Sequence, residues 1–239
     1  MSVRLTIGLP AFNEEASLAG VIDELLAALP GWIDDFELLC VNDGSTDRTA
    51  TILDGLAARE PRMRVVHHPN NRGLAGFSTS LLDRARGEFL VAVSADGQVT
   101  PDMVRALWTR ALDGCDVVIG CRRSKPDYTA YRRLVSWTYN RAVQLAFGRD
   151  FGDIGFVKLY RTALLRNLRC ISTGAFLNAE RLIRLDRAGA RIARVPVDAP
   201  PRRAGRAKGA RARWVYGATR DLARVTWDIY GRGSTPRRP

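Results

Sequence analysis

Apolar residues come in short continuous runs that alternate with longer stretches where they recur every three or four positions. The runs at residues 3–9, 36–41, 63–67, 89–93 and 116–120 are too short for helices of their own and partly β-branched, so they read as buried strands. Between the first two, Leu18, Val21, Ile22, Leu25, Leu26 and Leu29 make one apolar stripe of a helix ending near Pro30. Further helices are expected over residues 48–58, with Ser45 or Thr46 as N-cap, over 74–85, and from Pro101, which Thr100 can cap and where a missing N–H costs nothing. Strands alternating with helices at this spacing predict an α/β fold, a doubly wound, mostly parallel sheet with helices on both faces. After about Cys121 the pattern loosens, with helices expected over 131–147 and 176–188 and strands over 155–160 and 191–197. Residues 200–213 read as a mobile basic loop, 214–230 as an amphipathic C-terminal helix with Trp214, Ala218, Leu222, Val225 and Ile229 on one face, and 231–239 as disordered. The expected organisation is one domain over residues 1–205, then the basic loop, helix and tail over 206–239.

Three polar turns, at residues 10–15, 42–47 and 94–98, follow three strands. In a parallel sheet those ends face one way, so Asn13, Glu14, Asp43, Asp96 and Gln98 should converge on one crevice. Negative charge gathered there repels itself unless a cation or a donor-rich ligand is present. Asp96 and Gln98 are oxygen donors suited to Mg²⁺ or Mn²⁺ carrying a diphosphate, although on that loop alone an Asp-Gly turn with an incidental carboxylate explains them equally well. The signatures of dinucleotide oxidoreductases and of P-loop enzymes are both missing.

Charge adds an asymmetry. The chain of 239 residues carries +12, and from residue 201 onward eleven Lys or Arg face only Asp221 and Asp228, a balance of +9. Such a block can meet nucleic acid, an anionic membrane or a phosphorylated ligand, and the amphipathic helix suits either a membrane interface or packing on its own domain. No run approaches the roughly 18 apolar residues of a membrane span, and no signal-peptide pattern precedes the first strand, so a cytoplasmic location is expected. Cys40, Cys115, Cys121 and Cys170 lack zinc spacing and read as buried reduced thiols.

Pro10-Ala11-Phe12-Asn13-Glu14, Asn42-Asp43-Gly44-Ser45-Thr46-Asp47, Asn71-Arg72-Gly73 and Ser94-Ala95-Asp96-Gly97-Gln98 resemble, in order and spacing, the motif set of family 2 glycosyltransferases with the GT-A fold. The branch resembled is that of dolichyl-phosphate mannose synthase and bacterial polyprenyl-phosphate sugar transferases, over about residues 5–208. The resemblance implies that Pro10, Asn13, Glu14 and Arg72 border the nucleotide, Glu14 near the ribose, and that Asp43 accepts hydrogen bonds from the base. Asp96 matches the metal-binding second acid of the family's Asp-x-Asp and Gln98 the glutamine after it, implying Mg²⁺ or Mn²⁺. Ser94 departs from the family's usual Asp, which removes one charge beside the cation. Arg122, the Arg133-x-x-Ser136 pair and Arg202-x-x-Gly205-x-Ala207-Lys208 match groups that hold the acceptor's phosphate, so Asp96, Arg122 and Arg133 are the residues implied in catalysis. Arg presents a planar fork to phosphate oxygens and Lys a compact charge. Asp153-Ile154-Gly155-Phe156-Val157-Lys158 resembles the family's Asp-x-x-Ser-Gly-Phe-Arg/Lys at a shorter spacing, leaving its register open. Glu180 matches an acid of the branch or serves as a structural carboxylate; His67 and His68 read as loop residues.

The function so implied is inverting transfer of a sugar from a nucleotide diphosphate donor to a polyprenyl phosphate. A phosphate monoester is ionised near neutral pH and needs orientation more than a general base. Peripheral attachment to an anionic membrane on its cytoplasmic face is expected, and nucleic acid is not, for want of a fold signature or aromatic platform. Two alternatives stand beside it: a soluble transferase with a hydroxyl acceptor and a base near Asp153 or Glu180, and a noncatalytic nucleotide-sugar binder.

Overall fold

The computed structural model describes residues 3–125, 128–201 and 212–231. In chain order these form β1 (Leu5–Ala11), α1 (Leu18–Ala28), β2 (Phe36–Asn42), α2 (Thr49–Ala57), β3 (Met63–His67), α3 (Gly73–Arg84), β4 (Phe89–Ala92), α4 (Pro101–Leu112), β5 (Val117–Arg122), α5 (Ala130–Phe147), β6 (Lys158–Arg161), α6 (Thr162–Arg166), α7 (Leu177–Arg187), β7 (Ile192–Val197) and α8 (Ala212–Tyr230). The strands make one sheet in the order β3-β2-β1-β4-β6-β5-β7. Pairing is parallel except at β6, which runs antiparallel to both β4 and β5.

Every residue of β2 is buried, as its largely apolar run requires of a strand covered on both faces, and the one acid within it, Glu37, is bonded to Thr6, Arg64 and the Arg86 N–H. Leu38 and Cys40 join the core under α1 and α4, while Leu39 and Val41 join the one that holds Phe77 of α3 and Leu182 of α7. Alternate side chains thus feed two layers of helices. Burial pushes the Cys40 thiol up to about 12; Cys115, Cys121 and Cys170 are free and only half-buried.

Proline decides where the site opens. Pro10 lies inside β1, opposite Val41, so the strand runs past the break that sequence places after residue 9. Gly8 accepts from Val93 N (2.8 Å) on the β4 side and Ala11 from Asp43 N (2.8 Å) on the β2 side. That alternation puts Pro10 on the β4 side, where it has no N–H to carry the ladder on. β4 therefore ends at Ala92 and the following residues leave the sheet as a loop.

Other expectations are corrected in detail. Neither Ser45 nor Thr46 caps α2; the Thr49 N–H goes to Asp47 Oδ1 (2.9 Å). The α4 cap is as read, with Thr100 Oγ1 accepting from Met103 N at 3.4 Å. Helix α6 was not anticipated. The C-terminal helix α8 packs back on the domain: Phe147 stacks on Tyr230 (centroids 6.1 Å) and Arg184 of α7 pairs with Asp228 at 2.7 Å. The expected boundary between residues 205 and 206, the loop at 202–211 and the tail beyond 231 lie outside the described residues.

Candidate functional site

The first two polar turns are laced to each other. Asn13 takes a left-handed conformation (φ 56) that turns the chain after β1. Its N–H donates to Ser45 Oγ (3.0 Å), and its Oδ1 accepts from Thr46 N (2.8 Å). The Glu14 N–H donates to Thr49 Oγ1 (2.9 Å) and Glu15 N–H to Asp47 Oδ2 (3.2 Å). Asp43, 5% exposed, ties in the third loop: Oδ1 accepts from Arg72 N (2.8 Å) and the His68 ring (2.6 Å), and Oδ2 from Gly73 N (2.8 Å). His68 continues to Ser80 of α3 at 2.7 Å. Two oxygens with four lone pairs take three bonds, so one acceptor position remains on Oδ2. Gly44, at φ +72, stands where a Cβ would come within 2.5 Å of Asn70 backbone, so only glycine lets these loops touch.

The third polar turn carries Asp96 and Gln98, both buried. Asp96 Oδ1 accepts from Ser94 Oγ (2.5 Å) and from Gln98 N (3.0 Å), which fixes the carboxylate against its own loop. Ser94 thus donates to the acid where a second carboxylate would repel it. Asp96, the Gln98 carbonyl and the Ser94 hydroxyl are hard oxygen donors of the kind Mg²⁺ and Mn²⁺ accept, and such ions are commonly held by one or two carboxylates plus a substrate's phosphates. Among the described residues no three His, Cys, Asp or Glu come together as a metal site, so this donor set fits a cation that arrives with phosphate oxygens.

Asp96 and Gln98 face a cavity of about 320 Å³, lined also by Pro10, Arg122, Tyr128 and Arg132. Arg122 is held by Asp153 in a two-point ion pair (2.7 and 3.0 Å) with both side chains at most 6% exposed. It also donates to Tyr128 Oη (3.0 Å) and lies over the Phe156 ring, 4.3 Å from its centroid. Burial works to raise the Asp153 carboxyl, but the hydrogen bond and charge of Arg122, with Lys125 at 3.3 Å, hold it below the ordinary carboxylate range. Burial likewise pushes the cavity-lining Lys158 ammonium down to about 7, against the pull of Asp153.

Of the residues expected at the site, Pro10, Asp96, Gln98 and Arg122 line this cavity. Asn13, Glu14, Asp43 and Arg72 form the loops beside it, with Asn13 and Asp43 engaged as above. Arg133 does not line it: it is exposed, its Nε donates to Tyr128 O (3.1 Å), and Arg132 stands at the cavity instead, 3.8 Å from the Tyr128 centroid. Ser136 is half-buried on α5 away from the lining. Arg202 and Lys208 lie outside the described residues. Glu180 is fully buried, accepting from Ile171 N (2.9 Å), Ser172 N (2.8 Å) and Arg184 (2.7 Å), so it is structural. Sequence reasoning missed Tyr128, Arg132 and Arg181. For Arg181 the signal was a cation one helical turn after the buried Leu177, on the inward stripe of α7.

With this geometry in hand, comparison with known proteins gives a consistent picture. The model of the family described as glycosyl transferase family 2 matches residues 6–169. The undecaprenyl-phosphate 4-deoxy-4-formamido-L-arabinose transferase of Photorhabdus laumondii is 30% identical over 73% of this chain and 54% of its own length. The dodecaprenyl-phosphate galacturonate synthase of Rhizobium johnstonii is 29% identical over 70% of this chain and 51% of its own. The chain thus spans about half the length of the relatives it matches. Among solved structures, glucosyl-3-phosphoglycerate synthase from Mycobacterium tuberculosis, in complex with Mn²⁺, uridine-diphosphate and phosphoglyceric acid, superposes with a TM-score of 0.74 at 22% identity, over 93% of this chain and 78% of that one.

Proposed function

The chain belongs to glycosyl transferase family 2, with a GT-A type fold, and from that membership we propose that it transfers a sugar from a nucleoside diphosphate to the phosphate of a polyprenyl lipid, with inversion at the anomeric carbon. One observation carries the reading: an acid loop, Asp96 with Gln98, and a buried guanidinium, Arg122, line the same cavity. The names of the relatives, two of them polyprenyl-phosphate sugar enzymes, support the choice of acceptor.

Asp96 and Gln98 would hold Mg²⁺ or Mn²⁺, which when bound supplies charge stabilisation to the leaving diphosphate. The chain's own residues do the rest. Pro10 borders the donor, and Glu14, Arg72 and the remaining acceptor position of Asp43 flank the nucleoside, with Asn13 bracing the loops. Arg122, preorganised by Asp153, faces the acceptor's phosphate, with Arg132 at the rim and Arg133 and Ser136 as outer contacts; Arg202 and Lys208 are assigned to the same phosphate by the family motif alone. Reaction in line then follows from orientation, since the phosphate arrives ionised. A hydroxyl acceptor would need a base, and the two acids suited to it, Asp153 and Glu180, are both committed to arginines.

No helix among the described residues is long and apolar enough to cross a membrane. The neighbouring helices α5 and α8 nevertheless leave Tyr131, Leu134, Trp137, Leu145, Tyr216 and Trp227 exposed, the two tryptophans at 65% and 71%. Aromatic residues among arginines suit the interface of an anionic bilayer, where a polyprenyl phosphate lies. A donor screen with polyprenyl phosphate and Mg²⁺ or Mn²⁺, read as nucleoside diphosphate release, tests the proposal. Release with one nucleotide sugar is expected, and release with none overturns it.

A further inference from the structure

Beyond the Asp96 loop the cavity continues along β6, beneath α3 and α7, where its lining carries two cations and a phenol beside the neutral Ser78 and Asn178. Lys158 and Tyr160, two apart on β6, point to one face of the sheet and line the cavity. Lys158 Nζ donates to Ile154 O and Phe156 O (2.7 Å each), which leaves the third ammonium N–H without a partner among the described residues. Tyr160 is 6% exposed and its buried Oη has no hydrogen-bond partner among the described residues. Arg181 reaches the same cavity from α7, hydrogen-bonded to Ser78 of α3, and has no carboxylate paired with it among the described residues. The acid that acts on Lys158, Asp153, is already taken by Arg122 and Lys125. Two cations and a phenol are therefore gathered on one wall of the cavity, the ammonium depressed by burial and by Arg181, with no carboxylate hydrogen-bonded to either cation among the described residues.

We propose that Lys158, Tyr160 and Arg181 form a subsite for an oxyanion carried by a substrate, distinct from the diphosphate received by the Asp96 loop. The proposal rests on the nucleotide-sugar reading of the cavity and adds the charge of a reacting partner. Two carriers share the chemistry: a carboxylate on the donor sugar and the acceptor's phosphate. The position beside the Asp96 loop favours the sugar, since on the nucleotide-sugar reading the sugar is bonded to the diphosphate that this loop receives.

Titration calorimetry of the full chain with Mn²⁺ compares matched pairs: UDP-glucuronate with UDP-glucose, GDP-mannuronate with GDP-mannose, and geranyl phosphate with geraniol, with UDP and GDP as controls. In at least one pair the acidic member should bind roughly tenfold tighter or more, and the pair whose preference depends on Tyr160 and Arg181 identifies the carrier. Tyr160→Phe should remove most of that preference without lowering the melting temperature, because the Oη has no protein partner to lose, and Arg181→Gln should remove it as well. Equal affinities in every pair would overturn the subsite, as would a preference untouched by both substitutions. Tyr160→Phe weakening UDP or GDP alone would assign the groups to the nucleotide's own diphosphate and likewise overturn it. Failure of UDP and GDP to bind would sink the nucleotide reading instead, with the lipid pair still deciding the subsite.

Discussion

At the scale of single residues, Ser94 is the informative departure. Its hydroxyl donates to Asp96 at 2.5 Å, so one carboxylate keeps a stable geometry without a second charge beside it. Ser94→Asp places a like charge at that distance and should lower the Mn²⁺ concentration needed for half-maximal turnover several-fold, while lowering the melting temperature measured in EDTA. A metal titration unchanged by the substitution would contradict that role. Asp153 offers a second test. Asp153→Asn strands the Arg122 charge in a nearly closed site and should cost about 3 kcal/mol. Because the folded carboxyl lies below its unfolded range, its contribution is complete above that range and is lost as pH falls through the folded value. Urea melts of wild type and variant should therefore differ at pH 7, with the difference beginning to shrink only as pH falls below about 4. Asp96 and Gln98 were legible because they lie in the polar turn after an apolar strand, and Arg122 because it matches a family motif at the end of another. The Arg122–Asp153 pair spans 31 residues and was not, since no local pattern encodes it. The motif match chose Arg133, whereas Arg132 stands at the cavity, because the roll of α5 is set by what it packs on.

At the scale of elements, strand existence and helix stripes read off the chain well, because burial on both faces leaves continuous apolar runs. What escaped was pairing and direction: β6 is short, begins with a lysine and inserts antiparallel between β4 and β5. The turn chemistry around α2 was misread for a related reason, since Ser45 and Thr46 are spent on Asn13 across a sequence gap of more than thirty residues. Those loops hold the nucleoside side of the site only while they touch. Gly44→Ala, at a positive φ and against Asn70 backbone, should destabilise the fold by about 2 kcal/mol and raise the KM for the donor more than it lowers kcat. Equal effects on both constants would argue against a positioning role for the loops.

For the whole molecule, α8 has two faces of different character. Its inner face packs on the domain and its outer face exposes Tyr216 and Trp227, so packing and membrane contact are compatible, where the sequence posed them as rivals. The double substitution Tyr216→Ala with Trp227→Ala should reduce pelleting with anionic liposomes at least fivefold and leave the melting temperature within a degree or two, since both side chains are largely exposed. Unchanged pelleting would assign the binding to basic charge alone. The central claim is that Asp96 and a phosphate-bearing acceptor meet in one cavity. Nucleoside diphosphate release, followed for wild type and Asp96→Ala with polyprenyl phosphate and with the matching polyprenol, tests it most directly. Release by wild type with the phosphate alone is expected; comparable release with the alcohol, or by Asp96→Ala, would rule out that shared cavity.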